Sequence, residues 1–220
     1  LKIVLTTPVP IFLALAFNEM KDSIVKRSMQ TVIYIPHFFS WIVAYGIIIG
    51  LFSVSTGYFN NLLVQAGFEP IAFLGNRRLY WPFLILSEQW KEAGWASIIY
   101  IAALSGVNPE LYQAAKIDGA NKFRQIRHIS IPSISSTIIM LFILGIGSLV
   151  SGSFEQILAT TNASLFEVSE IIPLYVYHKG IVNFRVSVAT AAGLFQSVIS
   201  FALVYMCNWI ARRIGDASIW

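Results

Sequence analysis

Five long apolar stretches leave this chain few possible folds. They run over about 1–18, 32–52, 81–104, 132–152 and 186–211. A helix needs about 20 mostly apolar residues to cross a bilayer. Hydrocarbon offers no water to unpaired backbone groups, so a spanning segment must be a helix or a strand of a closed barrel. None of the five stretches alternates apolar and polar residues as a barrel strand does, which leaves helices. Composition agrees: 56% of the residues are hydrophobic and 12% are charged, against about 25% charged in an average soluble domain. The chain reads as an all-α membrane protein, with 1–220 a single transmembrane domain.

Charge is informative by location. Lys21, Lys26, Arg27, Lys116, Lys122, Arg124, Arg127, Arg212 and Arg213 crowd into the polar segments 18–31 and 105–131 and the tail 211–220. Lys2, Arg77, Arg78, Lys91, Lys179 and Arg185 are spread over longer stretches. The bias of Lys and Arg toward the cytoplasmic side puts the first group inside the cell. The C-terminus is then cytoplasmic, 105–131 is the largest cytoplasmic loop, and loops 53–80 and 152–185 face outward. The basic residues form no continuous stripe, which argues against a nucleic-acid partner. Membrane lipid is the surrounding medium.

Small residues at four-residue spacing, Gly46 and Gly50, then Ala189, Gly193 and Ser197, mark faces where helices pack closely. His37, His128 and His178 match no metal-ligand spacing, so no metal is expected. The lone Cys207 lies in an apolar run and reads as a buried thiol. No nucleophile and base stand together, so no catalytic residues are expected and the chain does not read as an enzyme.

The cytoplasmic loop has readable local structure. Asn108 suits an N-cap, Pro109 the first helical position, and Glu110 the positive end of the helix dipole. The helix should run to about Ile117, with Gly119 just past its end, where a left-handed conformation costs glycine little. A second helix over about 120–129 should turn Ala120, Phe123 and Ile126 to one face.

The third apolar stretch is interrupted by "SEQWKE" (87–92). Charge at membrane depth is costly unless paired or hydrated. Glu88 and Lys91 are spaced to pair along the helix. Glu88, Gln89, Trp90 and Trp95 combine polar groups with flat apolar faces, as sugar recognition requires. Glu155, Gln156 and Gln196 add polarity in the outer parts of the fourth and fifth stretches. These seven residues are the candidate lining of a substrate path.

The pattern of Glu110, Ala114, Ala115, Asp118-Gly119-Ala120, Phe123, Ile129 and Ile131-Pro132 resembles the EAA loop of binding-protein-dependent ABC importer permeases. Gln113 replaces the first residue of the literal E-A-A triplet, and Glu110 supplies an acid three residues earlier. "QTVIYIPHFFSWIV" (30–43), "SEQWKEAGWASIIYIAALSGVNPELYQAA" (87–115), "GSFEQI" (152–157) and "ATAAGLFQSVI" (189–199) resemble the LplB/YteP branch of the MalF-like sugar permeases.

The resemblance implies the transmembrane core of a type I ABC importer, with five helices visible and the family's first helix absent. It implies a bacterial inner-membrane subunit that imports oligosaccharides. Its partners would be a second homologous permease, two ATPase subunits and an extracytoplasmic solute-binding protein. Glu110, Leu111, Ala114, Ala115, Asp118 and Gly119 would dock on the ATPase. The chain has no G-x-x-x-x-G-K-[ST] phosphate loop; ATP and Mg would be bound by the partner ATPase subunits, and no cofactor by this chain. The competing class is a stand-alone secondary transporter. It would show mid-membrane charges and an inverted repeat, neither of which is evident.

Overall fold

Prolines and polar caps decide where the apolar stretches turn. The computed structural model describes residues 2–150, 152–162 and 164–214. Among the described residues every regular element is helical. The tail beyond Ile214, expected to be cytoplasmic, lies outside the described residues.

The stretch read as one span over 32–52 is two helices, Ile24–Phe38 and Trp41–Phe52, bent by 108°. Pro36 is the cause. It has no N–H for the carbonyl four residues back, and its ring crowds that carbonyl. Residues Ile35–Phe38 tighten into a 3-10 turn. Ser40 then restarts the helix as an N-cap, its Oγ accepting from the Val43 N–H at 3.3 Å. The fourth stretch is also bent, by 61°, between Lys122–Ser133 and Ser135–Ser148. Pro132 lies at this break, and the Ser135 hydroxyl donates to its carbonyl at 2.8 Å.

Lys2–Glu19 and Val186–Arg213 are long and apolar enough to cross a membrane, and counting each bent pair as one span gives up to four. The third stretch does not qualify by composition. Its helix, Arg77–Ser105, is 29 residues long but carries Glu88, Lys91 and Glu92 in its middle. The loop 152–185, expected to face outward, also holds more than connections: it contains Phe154–Thr160, Phe166–Ser169 and Ile172–Tyr177. The first of these packs on Trp41–Phe52.

The chain forms two compact units. One comprises the residues up to Tyr34, Glu92–Ser148 and those from Phe201 onward. Its core is Ala14, Leu15, Tyr100, Leu104 and Ile134, with Ile126 packed against them. The other comprises Ile35–Lys91 and Leu149–Ser200. Its core is Tyr80, Leu84, Ile157, Leu165 and Leu174.

Close helix approach occurs elsewhere than the small-residue spacing suggests. A Cβ added at Gly46, Gly50 or Gly193 would meet nothing within 4 Å. A Cβ on Gly94 would lie 2.4 Å from the Ile33 carbonyl oxygen. Gly94 is therefore where two backbones touch, and Gly46 and Gly50 lie on a free face of this chain; of the second stripe, Ala189 is closely approached, by Gly180.

Candidate functional site

The loop between Ser105 and Pro132 holds its short helix, Pro109–Ile117, by caps at both ends. At the start, Asn108 Oδ1 accepts from the Glu110 N–H at 2.9 Å, and Asn108 Nδ2 donates to Glu110 Oε2 at 3.3 Å. At the end, the Gly119 N–H donates to the Lys116 carbonyl at 3.1 Å and the Ala120 N–H to the Ala115 carbonyl at 2.8 Å. These two bonds form a Schellman motif, which needs a left-handed residue just past the helix. Gly119 provides it, with φ of +76°.

Such a helix presents one face and braces the other. Glu110, Leu111, Ala114, Asp118 and Gly119 are exposed, and Ala115 is half-buried. Positions 110, 114 and 118 recur every four residues, so they line one stripe. On the inner side, the Tyr112 hydroxyl lies 3.0 Å from Ser130 Oγ. The six expected coupling residues thus sit on one short element, most of them on its uncovered face.

The following helix departs from expectation. Phe123, expected on one face with Ala120 and Ile126, is 70% exposed, while Gln125 is buried. Gln125 Nε2 donates to the Ala120 carbonyl at 3.0 Å, which ties this helix to the turn before it. A π-helical turn over Ile126–Ser130 shifts the register, and Ile126 alone of the expected face reaches the core. Lys122 pairs with Glu19 at the end of Lys2–Glu19. Neither partner of this ion pair stands out in the sequence.

The expected path residues separate on inspection. Gln156 is 1% exposed, and its Nε2 donates to the Leu84 carbonyl at 2.8 Å and to Ser87 Oγ at 2.9 Å. A buried amide is costly unless hydrogen-bonded; this one clamps Phe154–Thr160 to Arg77–Ser105. Its neighbour Glu155 is exposed. Glu88 is half-buried and accepts from the Ser153 hydroxyl at 3.2 Å. Gln89 is half-buried, and its Oε1 is buried without a hydrogen-bond partner among the described residues. Trp90 and Trp95 are both exposed. Gln196 is half-buried and lines a cavity of about 520 Å³ whose other walls, including Phe154, Tyr177 and Gly193, are apolar.

Lys91, expected as the partner of Glu88, is buried and sends its Nζ to the His37 carbonyl at 3.0 Å, 5.2 Å from the Trp41 ring centre. It therefore caps the bend at Pro36, a role its place in the sequence did not suggest. Asn60 was also missed. It is 1% exposed and accepts from the Ile71 N–H at 2.8 Å. Its Nδ2 donates to the Ile71 and Ser53 carbonyls, each at 3.0 Å. The sequence offered only "FNN" in a turn-rich loop.

Comparison with known proteins accounts for this arrangement. Residues 6–216 match the family model described as "Binding-protein-dependent transport system inner membrane component". The chain is 43% identical over 213 residues to the polygalacturonan/rhamnogalacturonan transport system permease protein YteP of Bacillus subtilis (strain 168), covering 97% of this chain and 66% of that protein. It is 41% identical over 212 residues to protein LplB of the same organism, covering 96% and 67%. The chain thus spans about two thirds of the length of these relatives. Among solved structures, it superposes with a TM-score of 0.94 and 35% identity on a bacterial alginate ABC transporter in complex with an alginate pentasaccharide-bound periplasmic protein, covering 99% of this chain and 75% of that one. The fold is the helical core of a type I ABC importer, and the chain belongs to the family of binding-protein-dependent transport system inner membrane components.

Proposed function

We propose that this chain is one permease subunit of an ATP-driven oligosaccharide importer and forms half of its translocation path. The observation that carries the proposal is the exposed stripe on Pro109–Ile117. It is a short helix, capped at both ends and uncovered along the face the EAA pattern assigns to docking. A helix of this length holds poorly by itself in water, and a protein surface over that stripe would complete its packing. The partner is an ATPase subunit in the cytoplasm, which binds ATP and Mg and does the hydrolysis. The chain itself is no enzyme. A second homologous permease completes the path, a second ATPase serves that permease, and an extracytoplasmic solute-binding protein delivers the sugar to the outward loops. The chain crosses a bacterial inner membrane several times, with its C-terminus in the cytoplasm.

The proteins it resembles support the substrate class. One is named for polygalacturonan/rhamnogalacturonan, and another similar solved structure is described as importing the acidic polysaccharide alginate. Uronic-acid oligosaccharides are therefore the first substrates to assay. The basic spot at Arg77 and Arg78 lends less to this than its charge suggests. Arg77 is engaged with Glu167 at 2.7 Å and with the Ser164 carbonyl at 3.0 Å.

A stand-alone secondary transporter is disfavoured because the family match runs along nearly the whole chain. Reconstitution of the chain with its permease partner, ATPase and binding protein tests the reading. Uptake of labelled oligosaccharide should require all four components and ATP. Uptake by the chain alone without ATP, or failure to associate with any ATPase, contradicts it.

A further inference from the structure

Between Pro109–Ile117 and the end of Lys2–Glu19 lies a cleft of about 320 Å³, lined among others by Asn18, Glu19, Tyr112, Gln113, Lys116 and Gln125. Packed side chains pass displacement on because they have nowhere to yield. A gap of this size forfeits those contacts. Direct packing across the cleft is therefore weak, and the apolar link between the two regions is confined, among the described residues, to Ile126, which packs against the core that contains Ala14 and Leu15.

One polar route crosses it. The Ala120 N–H holds the Ala115 carbonyl, and the Ala120 carbonyl accepts from Gln125 Nε2 at 3.0 Å. Gln125 is fully buried, so the start of the next helix is fixed to the turn that ends Pro109–Ile117. Lys122, on that same start, pairs with Glu19.

Glu19 is an unexpected residue there. It is the last residue of Lys2–Glu19, where the helix dipole disfavours a negative charge. Its side chain is only 21% exposed, so much of its hydration is lost as well. A residue that breaks a local rule calls for a compensating role. Stability is a poor candidate for that role: Lys122 is 64% exposed, and ion pairs reaching solvent to this extent add little to folding.

We infer that the Glu19–Lys122 ion pair is a strut that carries displacement of the Pro109–Ile117 helix to the Lys2–Glu19 helix. The inference rests on the coupling role proposed above. Glu19 and Lys122 are positioning residues: neither touches the sugar or ATP.

The test is charge reversal in the assembled importer, reconstituted in proteoliposomes with its permease partner, ATPase and binding protein. Glu19→Lys, Lys122→Glu and the double swap are compared by the number of sugar molecules moved per ATP hydrolysed. Each single reversal should lower that ratio by at least about fivefold, the lower end of typical coupling between distant sites, with complex assembly unchanged. The double swap should restore most of it, which a residue needed only for folding would not do. Glu19→Gln serves if a reversal fails to assemble, and should lower the ratio in the same direction. Wild-type coupling in the single variants, or a swap no better than either single, overturns the strut while leaving the proposed function standing. A wild-type importer that moves no sugar with ATP brings down both.

Discussion

Replacing Gly119 separates the geometry of the short helix from the rest of the molecule. A Cβ at Gly119 would meet nothing within 4 Å, so substitution costs only the torsion. With φ at +76°, an L residue there pays about 1–2 kcal/mol, and a β-branched residue sits at the upper end. That lowers the ratio of native to rearranged turn by a factor of roughly 5–30. The nine-residue helix is too short to hold its end unaided, so losing the turn loosens the docking face. Gly119→Val should therefore weaken ATPase binding by up to about 5–30-fold, since only the competent conformer binds. Gly119→Asn should keep most of the affinity, because Asn tolerates this region. The assay is titration of purified ATPase onto the permease pair in detergent, with thermal unfolding of the permease as control. The unfolding temperature should not move, because the turn is exposed and outside both cores. Unchanged affinity in Gly119→Val refutes the reasoning. Equal loss in Asn and Val shifts the cause from torsion to bulk at the interface.

Three other substitutions bear on the scaffold. Gly94→Ala forces a Cβ to 2.4 Å from the Ile33 carbonyl oxygen, and backbone cannot yield as a side chain would; folded protein recovered in detergent should drop sharply, whereas Gly193→Ala should leave it unchanged. Asn60→Leu removes the bonds to Ile71 and Ser53 that tie this loop together, at about 0.5–1.5 kcal/mol for each bond; hydrogen exchange should show loop 53–71 opening. Gln156→Ala should destabilise by about 1–3 kcal/mol, read by thermal unfolding, with substrate selectivity unchanged; a change in selectivity would return Gln156 to the path.

What could be read in the sequence was local. Asn108, Pro109 and Gly119 act within a few residues of themselves, so the short helix and its ends were legible before any tertiary contact was known. The five helical stretches were legible because apolar length is a local property too. The bend at Pro36 was hidden by the continuous hydrophobicity of 32–52, although the proline and the Ser40 cap were both in view. The partners of Gln156 were hidden for a different reason: an amide facing water and one clamped between helices look identical in one dimension. The same holds for Lys91 and Asn60, whose partners lie 54 and 11 residues away. The face expected of Ala120, Phe123 and Ile126 did not form as a unit because the helix starts only at Lys122, after its Asn121 cap, which leaves Ala120 outside it. Glycine spacing alone did not distinguish Gly94, which is pressed against backbone, from Gly46 and Gly50, which are not.

The central claim is that the Pro109–Ile117 helix receives force generated by ATP on another chain. Site-specific photo-crosslinking in the assembled importer tests it most directly. A photoreactive residue at Ala114, on the exposed stripe, should form an adduct with the ATPase subunit; one at Phe59, in a loop read as outward-facing, should form none. An importer that transports sugar but gives no ATPase adduct from position 114, or gives one equally from position 59, contradicts the claim.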